Sequence, residues 1–257
     1  MGATFYIGTS GWHYRHWQGI FYPSDLPPSR WLTYYARFFP TVELNNSFYR
    51  QPRPSAWDLW RRTAPEGFAF AVKANRFLTH IKRLRDVEEP LRRFLEGARR
   101  LGPRLGPVLY QLPPTFHRTP ENEERLARFL ASLPGELLHA VEFRHRSWLG
   151  DEGRRLLEEY GAALCCFDAP QMRTPLVATA PFAYMRFHGS DALYASNYSD
   201  EALAEWAQAL ARLGQGLRAV YVYFNNDACG YAVANARTLM RLLLDLEQDV
   251  ATPGASA

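Results

Sequence analysis

The chain of 257 residues is 47% hydrophobic and 22% charged, which excludes an intrinsically disordered protein and suffices to bury a large core. No run reaches the ~18 apolar residues of a membrane-spanning helix, and the amino terminus lacks the features of a leader peptide, so we expect a cytoplasmic protein with no membrane partner. Only three cysteines occur, two of them adjacent, which argues against a disulfide framework. The net charge of +4 is compatible with an anionic ligand or nucleic acid as partner.

Short apolar runs rich in β-branched and aromatic residues recur along the chain at the spacing of β/α units. Eight are predicted as strands: Phe5–Thr9, Thr41–Asn45, Phe68–Lys73, Val108–Gln111, Leu138–Arg144, Ala162–Asp168, Ala183–His188 and Ala219–Asn225. This number of strands, alternating with helices in a chain of this length, favours an α/β fold consisting of a single (β/α)8 barrel of the TIM type. An open doubly wound sheet is the alternative, which the absence of a G-x-G-x-x-G motif after any strand disfavours.

Amphipathic segments between these runs predict the helices. The main ones are 87–101, 151–160, 200–213 and 231–246. Thr119-Pro120-Glu121 is a further helix start, with a capping hydroxyl, a proline in the first turn and an acid at the positive helix end. The stretch 168–182 holds three prolines, so the sixth β/α unit is predicted to lack a regular helix.

The chain contains no linker and no internal repeat. We therefore predict a single TIM-barrel domain over residues 1–248 and a flexible tail over 249–257. The loop Ser190–Ser199 is long, small and polar, and Tyr194 and Tyr198 lie within it. We expect this loop to be mobile and to close over a ligand.

Polar residues occur at the carboxyl ends of the predicted strands, the end of a barrel that usually carries the chemistry. Alternation along each strand indicates that many of them point into the barrel. The candidate catalytic residues are Glu43, Lys73, Glu142 and Asp168. The candidate ligand-binding residues are Asn45, His80, Gln111, Arg144, Arg186, His188, Asn225, Asn226 and Asp227. Because inward-facing acids and bases balance in number, an ion network that merely plugs the barrel is the alternative interpretation.

Lys73 is one of only two lysines, against 28 arginines. A lysine at a strand end in such a chain indicates chemistry that a guanidinium cannot perform, such as proton transfer or Schiff-base formation. The alternative is a structural salt bridge to Glu43.

Two further kinds of site were considered at the strand ends. A bound anion is expected between Arg144 and Arg186, or at the helix start near Tyr231. Four side chains on different strands could converge on a divalent metal: Glu142, Asp168, His188 and Asp227. Neighbouring arginines would repel a cation and no close-spaced ligand motif occurs, so no cofactor and no metal site is predicted, with a divalent metal left as an alternative.

Several motifs together resemble the YecE-like family, also called domain of unknown function 72. They are Gly8-Thr9-Ser10-Gly11-Trp12, Thr41 to Tyr49, Phe77-Leu78-Thr79-His80, Gln111-Leu112-Pro113-Pro114, Glu142 to Trp148, Arg186-Phe187-His188-Gly189 and Tyr223 to Asp227. The resemblance spans nearly the whole chain. It implies a TIM-type barrel with these positions around its mouth, and it brings no established activity. Analogies to sugar isomerases and to metal-dependent endonuclease barrels that act on abasic DNA are at the level of the fold.

These observations favour an enzyme that acts on a polar, sugar-like or phosphorylated small molecule by acid–base chemistry. One alternative is a nucleic-acid-binding protein or a metal-dependent phosphodiesterase similar to the abasic-site endonuclease barrels. Another is a barrel that binds a ligand without catalysis. A small polar or anionic ligand is the expected partner, with nucleic acid as the alternative partner.

Overall fold

The computed structural model describes residues 2–254 and shows a closed barrel of eight parallel strands. The strands are β1 (Thr4–Ser10), β2 (Thr41–Leu44), β3 (Ala69–Lys73), β4 (Leu105–Gln111), β5 (His139–Glu142), β6 (Ala163–Ala169), β7 (Met172–Arg173), β8 (Phe182–Phe187) and β9 (Ala219–Phe224). β7 is a two-residue antiparallel partner of β6, and the other eight form the barrel. Pairing of β1 with β9 and of β5 with β6 completes the ring, which confirms the predicted fold.

Helices follow most of the barrel strands and pack outside them. They are α1 (Trp31–Tyr35), α2 (Asn46–Tyr49), α3 (Pro54–Thr63), α4 (Glu88–Arg99), α5 (Pro120–Ala131), α6 (Asp151–Glu159), α7 (Asp200–Leu213) and α8 (Tyr231–Asp245). The Thr119 hydroxyl caps α5 by accepting the Asn122 backbone N–H at 3.2 Å. Between Ala169 and Phe182 the described chain contains β7 and no helix, so the prediction for the sixth unit is confirmed.

Two separate apolar layers hold the barrel. The outer layer packs the helices against the strands and includes most of the tryptophans. The inner layer fills the barrel with alanines, tyrosines and a few other apolar side chains, and it includes Ala71, Cys165, Tyr184 and Tyr223. Because side chains alternate between the faces of a strand, membership of these layers shows which residues of each strand face inward.

The carboxyl-terminal segment lies against the first strand. The Phe5 backbone N–H donates to the Asp249 carbonyl at 2.7 Å, and the Ala251 N–H donates to the Phe5 carbonyl at 3.0 Å. Residues 255–257 of the predicted flexible tail lie outside the described residues, and its flexibility stays a prediction. Over residues 2–254 no helix is both long enough and apolar enough to cross a membrane.

The contact between β1 and β2 requires a glycine. A Cβ atom at Gly8 would lie 2.2 Å from the Thr41 carbonyl oxygen, a backbone atom that cannot move without disturbing the strand pair. We expect Gly8→Ala to lower the free energy of unfolding by about 1–3 kcal/mol, as overpacking usually does. Urea unfolding followed by circular dichroism measures the change. Gly135→Ala is the control, because no atom lies within 4 Å of its added Cβ, and equal stability of the two variants would contradict the argument.

Candidate functional site

The strands deliver a layer of polar side chains to the carboxyl end of the barrel. Glu43, Lys73 and Glu142 lie two residues beyond inward-facing positions Thr41, Ala71 and Ala140, so they face the same interior. Both glutamates are fully buried. Buried carboxylates are costly unless they are paired and hydrogen-bonded, so their partners define the site.

Arg186 at the end of β8 joins the two glutamates. Its Nη2 donates to Glu43 Oε1 at 2.8 Å, and its Nη1 donates to Glu142 Oε2 at 2.7 Å. The side chain is 1% exposed. Burial alone would lower the pKa of Arg186, but the two carboxylates raise it well above its ordinary value. Arg186 is therefore a fixed charge that neutralises part of each carboxylate.

Glu43 has further partners inside the barrel. Tyr184 donates its hydroxyl to Glu43 Oε2 at 2.6 Å, and the Ser10 hydroxyl donates to Oε1. Ser10 in turn accepts from the Asn45 amide. Both carboxylate oxygens thus have partners. Among residues 2–254 Lys73 forms no ion pair with Glu43, so the alternative interpretation of Lys73 as its salt-bridge partner is wrong.

Glu142 is held as a carboxylate by two guanidinium groups. Arg144 Nε donates to Oε1, opposite the bond from Arg186 to Oε2. Burial alone would raise the pKa of Glu142, but Arg144 and Arg186 together hold it well below its ordinary value. Glu142 is ionised at neutral pH and cannot act there as a proton donor.

His188 lies above Arg186 as a neutral ring. Arg144 Nη2 donates to His188 Nε2 at 2.9 Å, so this ring nitrogen carries no proton, and the Asn225 amide nitrogen lies 3.1 Å from Nδ1. Burial, reinforced by Arg186, lowers the pKa of His188 well below its ordinary value. The ring is fully buried and positions Arg144.

Lys73 is the unpaired member of this group. Its side chain is 9% exposed, and its Nζ lies 4.1 Å from the centre of the Phe48 ring. Among residues 2–254 no hydrogen bond or ion pair to Nζ occurs. Burial, with Arg186 next in importance, lowers the pKa of Lys73 to about 8. The amine therefore exchanges its proton near physiological pH.

We call Glu43, Lys73, Glu142, Arg144 and Arg186 the mouth cluster. It contains two carboxylates, two guanidinium groups and one amine, so it carries one excess positive charge whenever Lys73 is protonated. The ion-network interpretation accounts for four of the five groups. It leaves Lys73 unexplained.

A cavity of about 620 Å³ opens beside the mouth cluster at the carboxyl ends of β1, β2, β3 and β9. Its wall combines aromatic side chains, amides and two charged groups, which suits a ligand with several hydrogen-bonding groups. Its lining includes Trp12, Tyr14, Asn45, Lys73, Asn225 and Asp227. Asp227 is half-buried there, and burial raises the pKa of its carboxyl group.

His80 and Gln111 lie near the mouth cluster without joining its ion pairs. The His80 ring packs edge-on against Phe48 at 5.1 Å, and burial, with Lys73 next, lowers its pKa to about 4. Gln111 ends β4 in register with Glu142. The Phe48 ring is therefore in contact with both the Lys73 amine and the His80 imidazole.

Two predicted site residues face away from the barrel interior. On β6 the inner layer contains Cys165, so Phe167 points inward and Asp168 points outward, where its Oδ2 accepts the Tyr198 hydroxyl at 2.9 Å. The expectation that Asp168 shares the cavity is wrong, because Asp168 lies three residues after Cys165 and its side chain points to the opposite face of β6. Asn226 is also turned away, buried and bonded to Asn235 at 2.8 Å.

The loop 190–199 lies between two cavities. Tyr194 lines the first cavity, and Leu193 lines a second of about 530 Å³ that also includes Arg144 and Phe167. Tyr198, expected to cover a ligand, is instead buried against Phe187. The mobility of this loop stays a prediction.

The proposed metal ligands do not converge. Asp168 lies outside the barrel and Glu142 is occupied by arginines. In the described part of the chain, no group of three or more His, Cys, Asp or Glu side chains is placed to hold a metal ion.

Sequence reasoning did not assign Tyr184 or Tyr14 to the site. Tyr184 could have been found, since it lies two residues before Arg186 and therefore shares its face. Tyr14 donates its hydroxyl to the Ser10 carbonyl at 2.6 Å, a contact that depends on the path of the first loop. Ser10 is a hydrogen-bond link between Asn45 and Glu43.

Comparisons with known proteins all point to one protein family. A family model described as "Protein of unknown function DUF72" matches residues 6–256. UPF0759 protein YunF of Bacillus subtilis is 29% identical, with 96% of this chain and 97% of the relative covered. UPF0759 protein YecE of Escherichia coli K12 is 30% identical, with 82% of each chain covered.

Solved structures show the same fold. The crystal structure of a DUF72 family protein from Thermotoga maritima has a TM-score of 0.86 and 32% identity, and covers 94% of this chain and 99% of that one. A DUF72 family protein from Enterococcus faecalis has a TM-score of 0.83 at 23% identity, covering 94% and 96% of the two chains.

Removal of the central guanidinium tests the structural part of the site. Arg186→Met leaves Glu43 and Glu142 buried without their shared partner, and we expect the free energy of unfolding to fall by about 3–5 kcal/mol. Thermal and urea unfolding measure this. Adding Glu43→Gln and Glu142→Gln to Arg186→Met should recover part of the loss, because it removes the stranded charges. The exposed pair of Arg93 with Glu89 provides the control Arg93→Met, and an equally small effect of both arginine substitutions would contradict the assignment.

Proposed function

Because this chain belongs to the DUF72 family, whose description names no activity, we propose its function from its own cavity: an enzyme that binds a small polar anion and performs acid–base chemistry on it. The observation that carries the proposal is Lys73, a buried amine on the wall of an open cavity that has no hydrogen-bond or ion-pair partner in the described part of the chain. A sugar-like or phosphorylated molecule has the required acidic and hydroxyl groups.

The charges favour an anion. With Lys73 protonated, the mouth cluster has one excess positive charge, and among residues 2–254 no carboxylate forms an ion pair with Lys73, which lies at the cavity wall. A bound anion would supply the missing partner in a partly desolvated setting, where a charge-assisted hydrogen bond is strong. The amide nitrogens of Asn45 and Asn225 face Ser10 and His188, so their amide oxygens are the groups at this wall that can accept from hydroxyl groups.

The proton-transfer roles fall to the groups whose pKa values move toward neutrality. The pKa of Lys73 is lowered to about 8, and that of Asp227 is raised by burial. Both line one cavity, which is the usual arrangement for an acid and a base that act on one substrate. Glu142 and Glu43 then act as positioning residues, because their oxygens are occupied by arginine and hydroxyl donors.

The anion should bind in a pH-dependent way. Sulfate is a suitable probe because its charge is constant between pH 6 and 10. The ammonium form of Lys73 holds the anion and the neutral amine does not, so affinity should fall as pH rises through about 8. Calorimetric titration at pH 6.5 and 9.5 should show a loss of roughly tenfold or more, consistent with one charge-assisted hydrogen bond of about 1.5–3 kcal/mol.

The two lysines supply matched variants for that experiment. Lys73→Met should abolish the pH dependence and weaken binding at pH 6.5, while Lys82→Met should behave as wild type because Lys82 is not part of the cavity wall. Affinity that is the same at both pH values, or equal losses in both variants, would refute the role of Lys73. Sulfate binding without turnover of any sugar phosphate would favour the non-catalytic barrel.

A second candidate function rests on the distribution of charge. The segments that follow the barrel strands at their carboxyl ends contain twelve Arg and Lys against four Asp and Glu, while the whole chain has an excess of only four positive charges. Tyr49 is 72% exposed on this face, and the exposed Arg50 and Arg53 follow it. Interleaved cations and exposed rings are typical of surfaces that bind single-stranded nucleic acid.

That candidate makes its own prediction. A single-stranded DNA oligonucleotide should bind with an affinity that falls steeply with salt, and Tyr49→Ala should weaken binding by about 1–3 kcal/mol through loss of base stacking. Fluorescence anisotropy at two salt concentrations measures both effects. Tyr160→Ala is the control, since Tyr160 is exposed after α6 at the opposite end of the barrel. No binding at low salt, or equal losses in both variants, would reject this candidate.

A further inference from the structure

Lys73 is suited to more than holding a charge. An anion clamp alone is served at least as well by arginine, which forms bidentate bonds and stays charged. This chain uses arginine at 28 of its 30 basic positions, yet a primary amine ends β3 at the cavity wall. The amine differs from a guanidinium in having a lone pair that becomes available when its proton leaves.

The surroundings of Lys73 favour that neutral form. Arg186, Arg144 and His80 face it from β8 and from the segments after β5 and β3, and the two guanidinium groups oppose its positive charge. Glu43 and Glu142 face it from β2 and β5 and favour the charge, but their oxygens are bonded to Arg186, Arg144, Tyr184 and Ser10. A desolvated lysine beside other cations is a recognised arrangement for an activated amine.

On the basis of the proposed function, we propose that Lys73 forms an imine with the carbonyl group of a small aldehyde or ketone that carries a carboxylate or phosphate. The Nζ lone pair attacks the carbonyl carbon, and a proton passes from the nitrogen to the carbonyl oxygen to give a carbinolamine. The hydroxyl group takes up a second proton, equal to the one that the Lys73 ammonium group released to become the neutral amine. The carbon–oxygen bond then breaks, the oxygen leaves as water, and the nitrogen lone pair forms the C=N bond of a protonated imine. No oxidant or reductant takes part.

The cavity fits both ends of such a substrate. The protonated imine has the same charge as the ammonium group, so the excess charge of the mouth cluster is kept and the acidic group of the substrate neutralises it. Asn45 Oδ1 is buried on the same wall and has no hydrogen-bond partner among residues 2–254, which leaves an acceptor for a substrate hydroxyl. The Phe48 ring covers one side of Nζ and limits access of water.

Reductive trapping tests the proposal on the intact protein. Glyoxylate, a small anionic aldehyde, is added with sodium cyanoborohydride, which donates a hydride to the imine carbon and leaves a stable secondary amine. Mass spectrometry of peptides then compares Lys73 with Lys82 in the same molecules. We expect about tenfold or more adduct at Lys73 at pH 7.5, and less adduct at Lys73 when sulfate is present as a competitor.

The variants and the pH profile distinguish an imine from simple proximity. Lys73→Arg should lose the adduct at this position while still binding sulfate, and Lys82→Arg should keep the Lys73 adduct. The trapping rate should rise with pH and level off above about 8, opposite to sulfate affinity. Should Lys73→Arg fail to fold, the ratio of the two lysines in the wild-type protein still gives the result.

Adduct formation at Lys73 and sulfate binding are separate measurements, so the imine and the anion site can be rejected independently. Equal modification of Lys73 and Lys82, or no adduct at Lys73, together with pH-dependent sulfate binding, would overturn the imine and keep the anion site. Loss of both adduct and sulfate binding would overturn both.

Discussion

The guanidinium group of Arg186, shared between Glu43 and Glu142, is the interaction on which the mouth of the barrel depends. Neither carboxylate reaches solvent, and each would destabilise the fold if it stood alone. Their bonds to one planar group bring β2, β5 and β8 into a fixed relation across the interior. The barrel is thereby closed at this end by polar groups, where its middle is closed by alanines and tyrosines.

This network explains the state of its neighbours. Because Arg186 bonds to one oxygen of Glu142, Arg144 Nε bonds to the other, and Arg144 Nη2 donates to His188. Burial, reinforced by Arg186 and Arg144, lowers the pKa of His188 and that of Lys73. A cluster that contained only paired charges would have a structural role. The Lys73 amine at the cavity wall has no such partner in the described part of the chain, and this distinguishes the mouth cluster from a purely structural ion network.

The two candidate functions use overlapping parts of the same face, because Tyr49 also lines the first cavity. A small anion is accommodated at the cavity wall by groups that are buried and fixed. A polynucleotide would lie over exposed side chains such as Tyr49 and Arg50, in a region with many cationic side chains. The two functions would also depend differently on salt, because exposed charges are screened far more than buried ones.

The sequence by itself determined the barrel, its strand positions and the missing helix after β6, because hydrophobic periodicity and prolines are local signals. It also identified Glu43, Glu142, Arg144 and Arg186 as inward-facing, because residues two apart on a strand share a face. The tertiary structure alone decided which face Asp168 occupies. Only the folded barrel shows that Cys165 points inward, and Asp168, three residues later on the same strand, therefore points outward. It also decided the pairing of charges, for strands distant in the chain bring their ends together only when the barrel closes. For that reason Lys73 forms no ion pair with Glu43. The closed barrel brings Arg186, Ser10 and Tyr184 to the Glu43 carboxylate, which the spacing of these residues in the sequence does not show.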